Sequence, residues 1–271
     1  MTTSLLPAAQ WAQNEFGFAQ LGDQRRHRRL VNIAEHLAAS PGGTLPQAFP
    51  LWAELKAIYR FFGGVTFERV LAPHLERVRQ ACRQPGEYLL IEDMTPLDFT
   101  AHWATTGLGS IGDGPGRGFE LPSTLAVRVE AWTLEQRPEG TRVGLLGQQC
   151  ACRRAAPPGE CHSACLRRAR RSQRWAEPLK GAGRPPQGSH LIYVADREAD
   201  FYEPIHICQQ HGVDFVIRSC FDRRLAEGAG HLRAGLQRAP WLGKAVVEVR
   251  ARGGPPGGRP LHGPMVDRGI S

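Results

Sequence analysis

The pattern of apolar positions divides the chain in two. From residue 8 to 82 they recur at helical spacing, and from residue 87 they change to the short runs and alternation of strands. Leu30, Ile33, Ala34 and Leu37 fall at i, i+3, i+4 and i+7, which predicts one buried stripe on a helix capped by Asp23 and stopped by Gly42-Gly43. A second helix, from Pro50 to Gly63-Gly64, is expected to bury Leu55, Ile58, Tyr59 and Phe62 and to turn Arg60 outward. A third, opening with Thr66, lines up Val70, Leu71, His74, Leu75 and Val78. Trp11, Phe16, Phe18, Trp52, Phe61 and Phe62 are expected in the core of this helical part, with His74 a member of its stripe and not a ligand.

In the second part, Tyr88-Leu89-Leu90-Ile91 reads as a short strand with Asp93 just past its end. Leu191-Ile192-Tyr193-Val194 reads as a buried strand that delivers Asp196 to its open end. Between them, Gly107 to Gly118 is dense in glycine. It lacks the preceding buried parallel strand, the closing Gly-Lys-Ser/Thr and the following helix of a phosphate loop. Ser123–Trp132 alternates and pairs with Arg142–Gln149 across the turn at Arg137–Gly140 as a hairpin. Residues 150–184 carry nine basic against two acidic side chains and read as a surface excursion, helical from Glu160 to Trp175. A helix over Glu198–Gln210 with Phe201, Tyr202, Ile205 and Cys208 inward, then strands at Val213–Ile217 and Lys244–Val249, complete the elements.

This order is that of an α/β chain with a ribonuclease H-like mixed sheet. The expected organisation is a helical domain at 1–84, a ribonuclease H-like core at 85–220 with the basic excursion at 150–184, and the start of a β-rich insertion at 221–250. The stretch 251–271, rich in Gly, Pro and Arg, has too few apolar side chains to offset its ordering entropy. In that fold the first and fourth strands are neighbours, so Asp93 and Asp196, 103 positions apart, would lie together. Two adjoining carboxylates repel unless a cation lies between them, and hard oxygen ligands at an open site suit Mg²⁺ or Mn²⁺.

Charge adds a partner. The chain has 34 Lys+Arg against 26 Asp+Glu, a net +8, which favours a polyanion. Arg25, Arg26, Arg28 and Arg29 crowd the first turns of the first stripe-bearing helix, Arg25 and Arg29 on one flank and Arg28 on the other. Four cations at the positive end of a helix dipole are destabilising until a phosphate backbone neutralises them. The absence of an eighteen-residue apolar run and of a basic, long-cored leader gives the expectation of a cytoplasmic chain without membrane contact. Cys150, Cys152, Cys161 and Cys165 have a spacing compatible with tetrahedral zinc but matching no common pattern, and reduced thiols in a basic loop are the preferred reading.

Several segments occur together and in order: Leu21-Gly-Asp-Gln-Arg-Arg-His-Arg-Arg-Leu30, Tyr59-Arg-Phe61, Ile91-Glu-Asp-Met-Thr95, Gly116-Arg-Gly-Phe119, Val143-Gly-Leu-Leu146, Ser172-Gln-Arg-Trp175, Asp196-Arg-Glu198 and Phe215-Val-Ile-Arg-Ser219. From about Trp11 to Val249 the chain resembles the insertion-sequence-four family of DDE transposases, the group of the transposon-five transposase. The resemblance implies N-terminal helices that bind transposon ends in double-stranded DNA, Asp93 and Asp196 as the first two acids of the triad, and Arg218 within reach of DNA. It also implies metal-dependent nicking and strand transfer into target DNA within a synaptic homodimer. Leu121-Pro122-Ser123 departs from the His-Ser that relatives often carry, and the family's third acid, a Glu in a Tyr…Arg…Glu…Lys signature, has no counterpart after Val249. The expectation is a truncated, catalytically incomplete transposase whose tail reads as translation out of frame. A non-catalytic protein occupying transposon ends is the alternative.

Overall fold

The computed structural model describes residues 6–112, 114–130, 140–153, 171–225, 228 and 230–240. Five helices come first: α1 (Ala8–Phe16), α2 (Gln24–Ala39), α3 (Leu45–Ala48), α4 (Trp52–Gly64) and α5 (Phe67–Ala81). The Asp23 side chain accepts the Arg25 N–H and so caps α2, and Thr66 caps α5. Leu30, Ile33, Phe49, Ile58 and Phe61 close a small core between α2, α3 and α4. On α4 the buried residues are Leu55, Ile58 and Phe61, whereas Tyr59 and Phe62 are exposed. Six apolar residues in eight positions fit two helical faces, and packing on α2 selects the one centred on Ile58. Trp11, Phe18 and Trp52 are likewise exposed, Trp52 by 70%, so of the six expected core aromatics only Phe61 is fully buried.

The strands are β1 (Gly86–Asp98), β2 (Gly109–Ser110), β3 (Arg117–Val129), β4 (Gly140–Gln148), β5 (Ser189–Ala195) and β6 (Asp214–Ile217). They form one mixed sheet. β3 runs antiparallel to β1 on one side and to both β4 and β2 on the other, while β1, β5 and β6 run parallel. The parallel connections carry α6 (Arg171–Ala182) and, after a 3₁₀ turn at Arg197–Ala199, α7 (Tyr202–His211). Gly212, left-handed at φ 68°, ends α7 and turns the chain into β6.

One face of the sheet holds the main core. Tyr88, Leu90, Ala126, Leu191 and Tyr193 meet Val78 of α5, Trp175, Ala176 and Leu179 of α6, and Ile207 and Cys208 of α7. In β3 the deeply buried parity is therefore Thr124 and Ala126, with Leu125 and Val127 half-buried on the other face. The expected surface excursion is corrected at its end, because α6 is a core helix. Its Trp175, Ala176 and Leu179 lie one turn apart and outweigh the charge around them. On α7, Tyr202 points to solvent, and Pro204, Ile207 and Cys208 are buried instead. Part of the region expected to begin a β insertion holds a short helix, α8 (Leu232–Arg238). The hairpin turn at Arg137-Pro138-Glu139, the sequence from Glu160 to Arg170, the Lys244–Val249 strand and the 251–271 tail lie outside the described residues.

A polar junction fastens the helices to the sheet. Glu15 of α1, only 7% exposed, accepts from His74 Nδ1 at 2.6 Å and from Arg77 Nε at 2.9 Å. Both partners continue to β4: the Leu145 N–H donates to His74 Nε2 at 2.9 Å, and Arg77 donates to the Val143 carbonyl at 3.0 Å. In this arrangement His74 Nε2 accepts and Nδ1 donates. Burial pushes the Glu15 carboxyl up, but the bonds to His74 and Arg77 outweigh it and hold it below 4.5.

Candidate nucleic-acid interface and acid pair

Asp93 and Asp196 are brought together by strand register. The parallel pairing of β1 and β5 runs from Gly86↔Ser189 to Glu92↔Ala195, and the next residues on the two strands are Asp93 and Asp196. Both are exposed and on the sheet face away from the main core, because Glu92 and Ala195 before them point into it. Asp93 Oδ1 accepts the Met94 N–H at 2.9 Å, and Asp196 Oδ1 accepts the Glu198 N–H at 2.8 Å as cap of the 3₁₀ turn. Asp93 does not end its strand as the sequence suggested. β1 continues to Asp98 as a two-stranded ribbon with β3, and only β5 stops at the acids.

Arg218 follows β6, and its N–H donates to the Ala195 carbonyl at 3.2 Å, which sets it beside Asp196 with an exposed side chain. The segment after it is pinned by Asp200, a residue that sequence reasoning missed. This buried carboxylate accepts from the N–H groups of Cys220 at 2.7 Å and Phe221 at 3.0 Å and from Arg223 Nε at 3.0 Å. Burial raises its pKa, but Arg223 and the two N–H groups prevail and depress it. Its only sequence signal was the short spacing Asp196-x-x-x-Asp200.

Glu92, beneath the acid pair, was also missed. It is 2% exposed, and neither its carboxyl oxygens nor the neighbouring Tyr193 hydroxyl make a hydrogen bond of ordinary geometry. Burial pushes Glu92 up to about 8, with the nearby Tyr193 hydroxyl opposing only weakly, so a proton sits on it at neutral pH. Glu92 points into the main core, on the face of the sheet opposite the acid pair. Among the described residues no group of three or more His, Cys, Asp or Glu side chains converges as a metal site. Cys161 and Cys165 lie outside the described residues, and Cys152 donates to the Gly107 carbonyl at 2.7 Å.

The helical half carries the charge. Arg25, Arg28 and Arg29 share one hollow of about 370 Å³ with Asn32, Phe49, Glu54 and Ile58, between α2, α3 and α4. The expected flanks are thereby corrected. Positions 25, 28, 29 and 32 are successive i+3 and i+4 neighbours on one face, and Arg26 lies outside the hollow, its guanidinium near Gly64. Arg60 is exposed on α4, whose outer side also presents Trp52, Tyr59 and Phe62. Cations interleaved with exposed aromatics suit a sugar-phosphate backbone and the edges of bases.

No helix among the described residues is long and apolar enough to cross a membrane. Residues 8–65, from α1 through α4, match the family model described as transposase DNA-binding. The match covers the basic hollow, Arg26 and Arg60 together, and it supports a transposase family for the chain and DNA as the partner of its helical half.

Proposed function

We propose that this chain is a DDE-type transposase of the insertion-sequence-four kind, in which α1–α4 hold transposon-end DNA against a ribonuclease H-like sheet bearing Asp93 and Asp196. The observation that carries this reading is the convergence of the two acids one step beyond the last β1–β5 pair, in a sheet of order β4-β3-β1-β5-β6 in which only β3 runs opposite to the other four. Exposed carboxylates side by side fit a hard divalent cation. Asp93 and Asp196 would hold Mg²⁺ or Mn²⁺, which when bound activates water and stabilises the leaving oxygen of a phosphodiester. Arg218 stands where a phosphate approaching the acids would pass.

Since two acids and not three come together among the described residues, we propose that this chain binds ends and cuts them poorly. Loss of one ligand misplaces the metal and the in-line geometry, which costs orders of magnitude in rate. The test is end-containing DNA with and without metal. Robust Mg²⁺-dependent nicking that Asp196→Ala abolishes would overturn the incomplete-site reading. Failure of Arg25→Ala/Arg29→Ala to weaken binding would remove the basic hollow from the interface. If both contact phosphate, the slope of log affinity against log salt flattens by about one to two units.

A further inference from the structure

Beyond the acids, β1 and β3 continue alone. The β1–β3 register runs past Asp93↔Ser123 to Asp98↔Gly118, whereas β5 ends at Ala195. Five residues at about 3.3 Å each carry the ribbon roughly 17 Å past Asp93, about five nucleotide steps along one strand of a duplex. At its tip stands Trp103, 84% exposed.

The indole is presented on a braced loop. The Asp98 carboxylate accepts the Thr100 N–H at 2.8 Å, the Thr100 hydroxyl accepts the Arg117 N–H at 2.9 Å, and Phe99 N–H donates to the Arg117 carbonyl at 2.8 Å. Two successive turns follow, His102 N–H to Phe99 O at 2.9 Å and Thr105 N–H to His102 O at 3.1 Å. Phe99 packs edge-on against Phe119 beneath them. Two exposed arginines lie nearby alongside the Asp98 carboxylate: Arg117 donates to the Thr105 carbonyl of this loop, and Arg153 to the Gly112 carbonyl beyond β2. An exposed indole carried on a braced loop loses little backbone entropy on binding and offers an apolar face to a base.

We propose that Trp103 is a stacking platform for an unpaired nucleobase in the DNA strand that flanks the acid pair. Paired bases offer no free face to a side chain, but bases beside a strand break do. The inference rests on the proposed function, which supplies the DNA at the acids.

The test uses the full chain, with Trp103→Ala and Trp103→Phe, and two labelled probes. One is a blunt random-sequence duplex of about 20 base pairs, and the other is the same duplex with a single-stranded tail of about six nucleotides. Trp103→Ala is expected to weaken the tailed probe about tenfold and leave the blunt one unchanged, with the salt slope unaltered because stacking releases no counterions. Trp103→Phe restores most of the loss. Equal affinity of wild type and Trp103→Ala for the tailed probe overturns the proposal, and so does an effect confined to self-association of the chain. Arg25→Ala/Arg29→Ala separates the two readings. If it weakens both probes while Trp103→Ala weakens neither, only the stacking inference fails; if wild type binds neither probe, the DNA-binding reading fails with it.

Discussion

Replacing Glu15 by Gln removes the charge at the junction of α1, α5 and β4 while keeping the shape of the side chain. The carboxylate accepts from His74 at 2.6 Å and from Arg77 at 2.9 and 2.8 Å, and it is almost wholly buried. Each bond to a charged group contributes about 1.5–3 kcal/mol. Arg77, however, has a side chain 35% exposed, so water recovers part of its loss. Glu15→Gln should therefore cost about 2–4 kcal/mol. In urea, with a slope of about 2 kcal/mol/M, the midpoint followed by tryptophan fluorescence falls by roughly 1–2 M. The pH dependence has a definite sign. The folded pKa of Glu15 lies below its ordinary 4.5, so its stabilisation is complete above that value and is lost as pH falls through the folded pKa. The gap between wild type and Glu15→Gln should hence be widest near neutrality and narrow in acid. A midpoint shift equivalent to less than about 0.5 kcal/mol at neutral pH would refute the junction as a stabilising element.

Other perturbations probe the sheet. Trp175→Ala empties a site with no solvent exposure beneath the sheet and should cost about 3–5 kcal/mol in the same urea titration; a change near zero would return α6 to the surface. Asp200→Asn weakens the hold on the segment 219–223 and should raise amide hydrogen exchange at Cys220 and Phe221 above that of β5. Because the Asp200 pKa is depressed, its stabilising effect is present above the ordinary carboxylate range and fades as pH falls through the folded value. Unchanged exchange at both amides would contradict the pinning.

Much of the sheet could be read from apolar runs. Tyr88–Ile91 and Leu191–Val194 mark the two strands that carry the acids, and their polar successors mark where β5 ends. The same rule misreads β1, because Glu92, Asp93, Thr95, Pro96 and Asp98 look like a strand terminus. These residues stay extended by pairing with β3, a tertiary contact with no local pattern. Trp175 was hidden for a related reason: three core residues within a run of cations give a weak average signal although each is buried. On α4, six apolar residues satisfied either face, and only the position of α2 decided between Phe61 and Phe62. The Glu15–His74–Arg77 junction spans some sixty positions, so nothing near Glu15 announced it. The basic cluster was legible as charge, but that Arg25, Arg28 and Arg29 share one hollow while Arg26 lies outside it, near Gly64, required the helix to be placed.

The proposed chemistry requires Asp93 and Asp196 to act as one cation site. Titration of the full chain with Mn²⁺, followed by the electron paramagnetic resonance of the free ion, measures this directly. The expected result is a bound ion displaced by excess Mg²⁺ and lost in both Asp93→Ala and Asp196→Ala, with Glu92→Gln retaining it because Glu92 already carries a proton at neutral pH. Mn²⁺ bound equally by wild type and by either Asp variant would contradict the acid pair as a metal site.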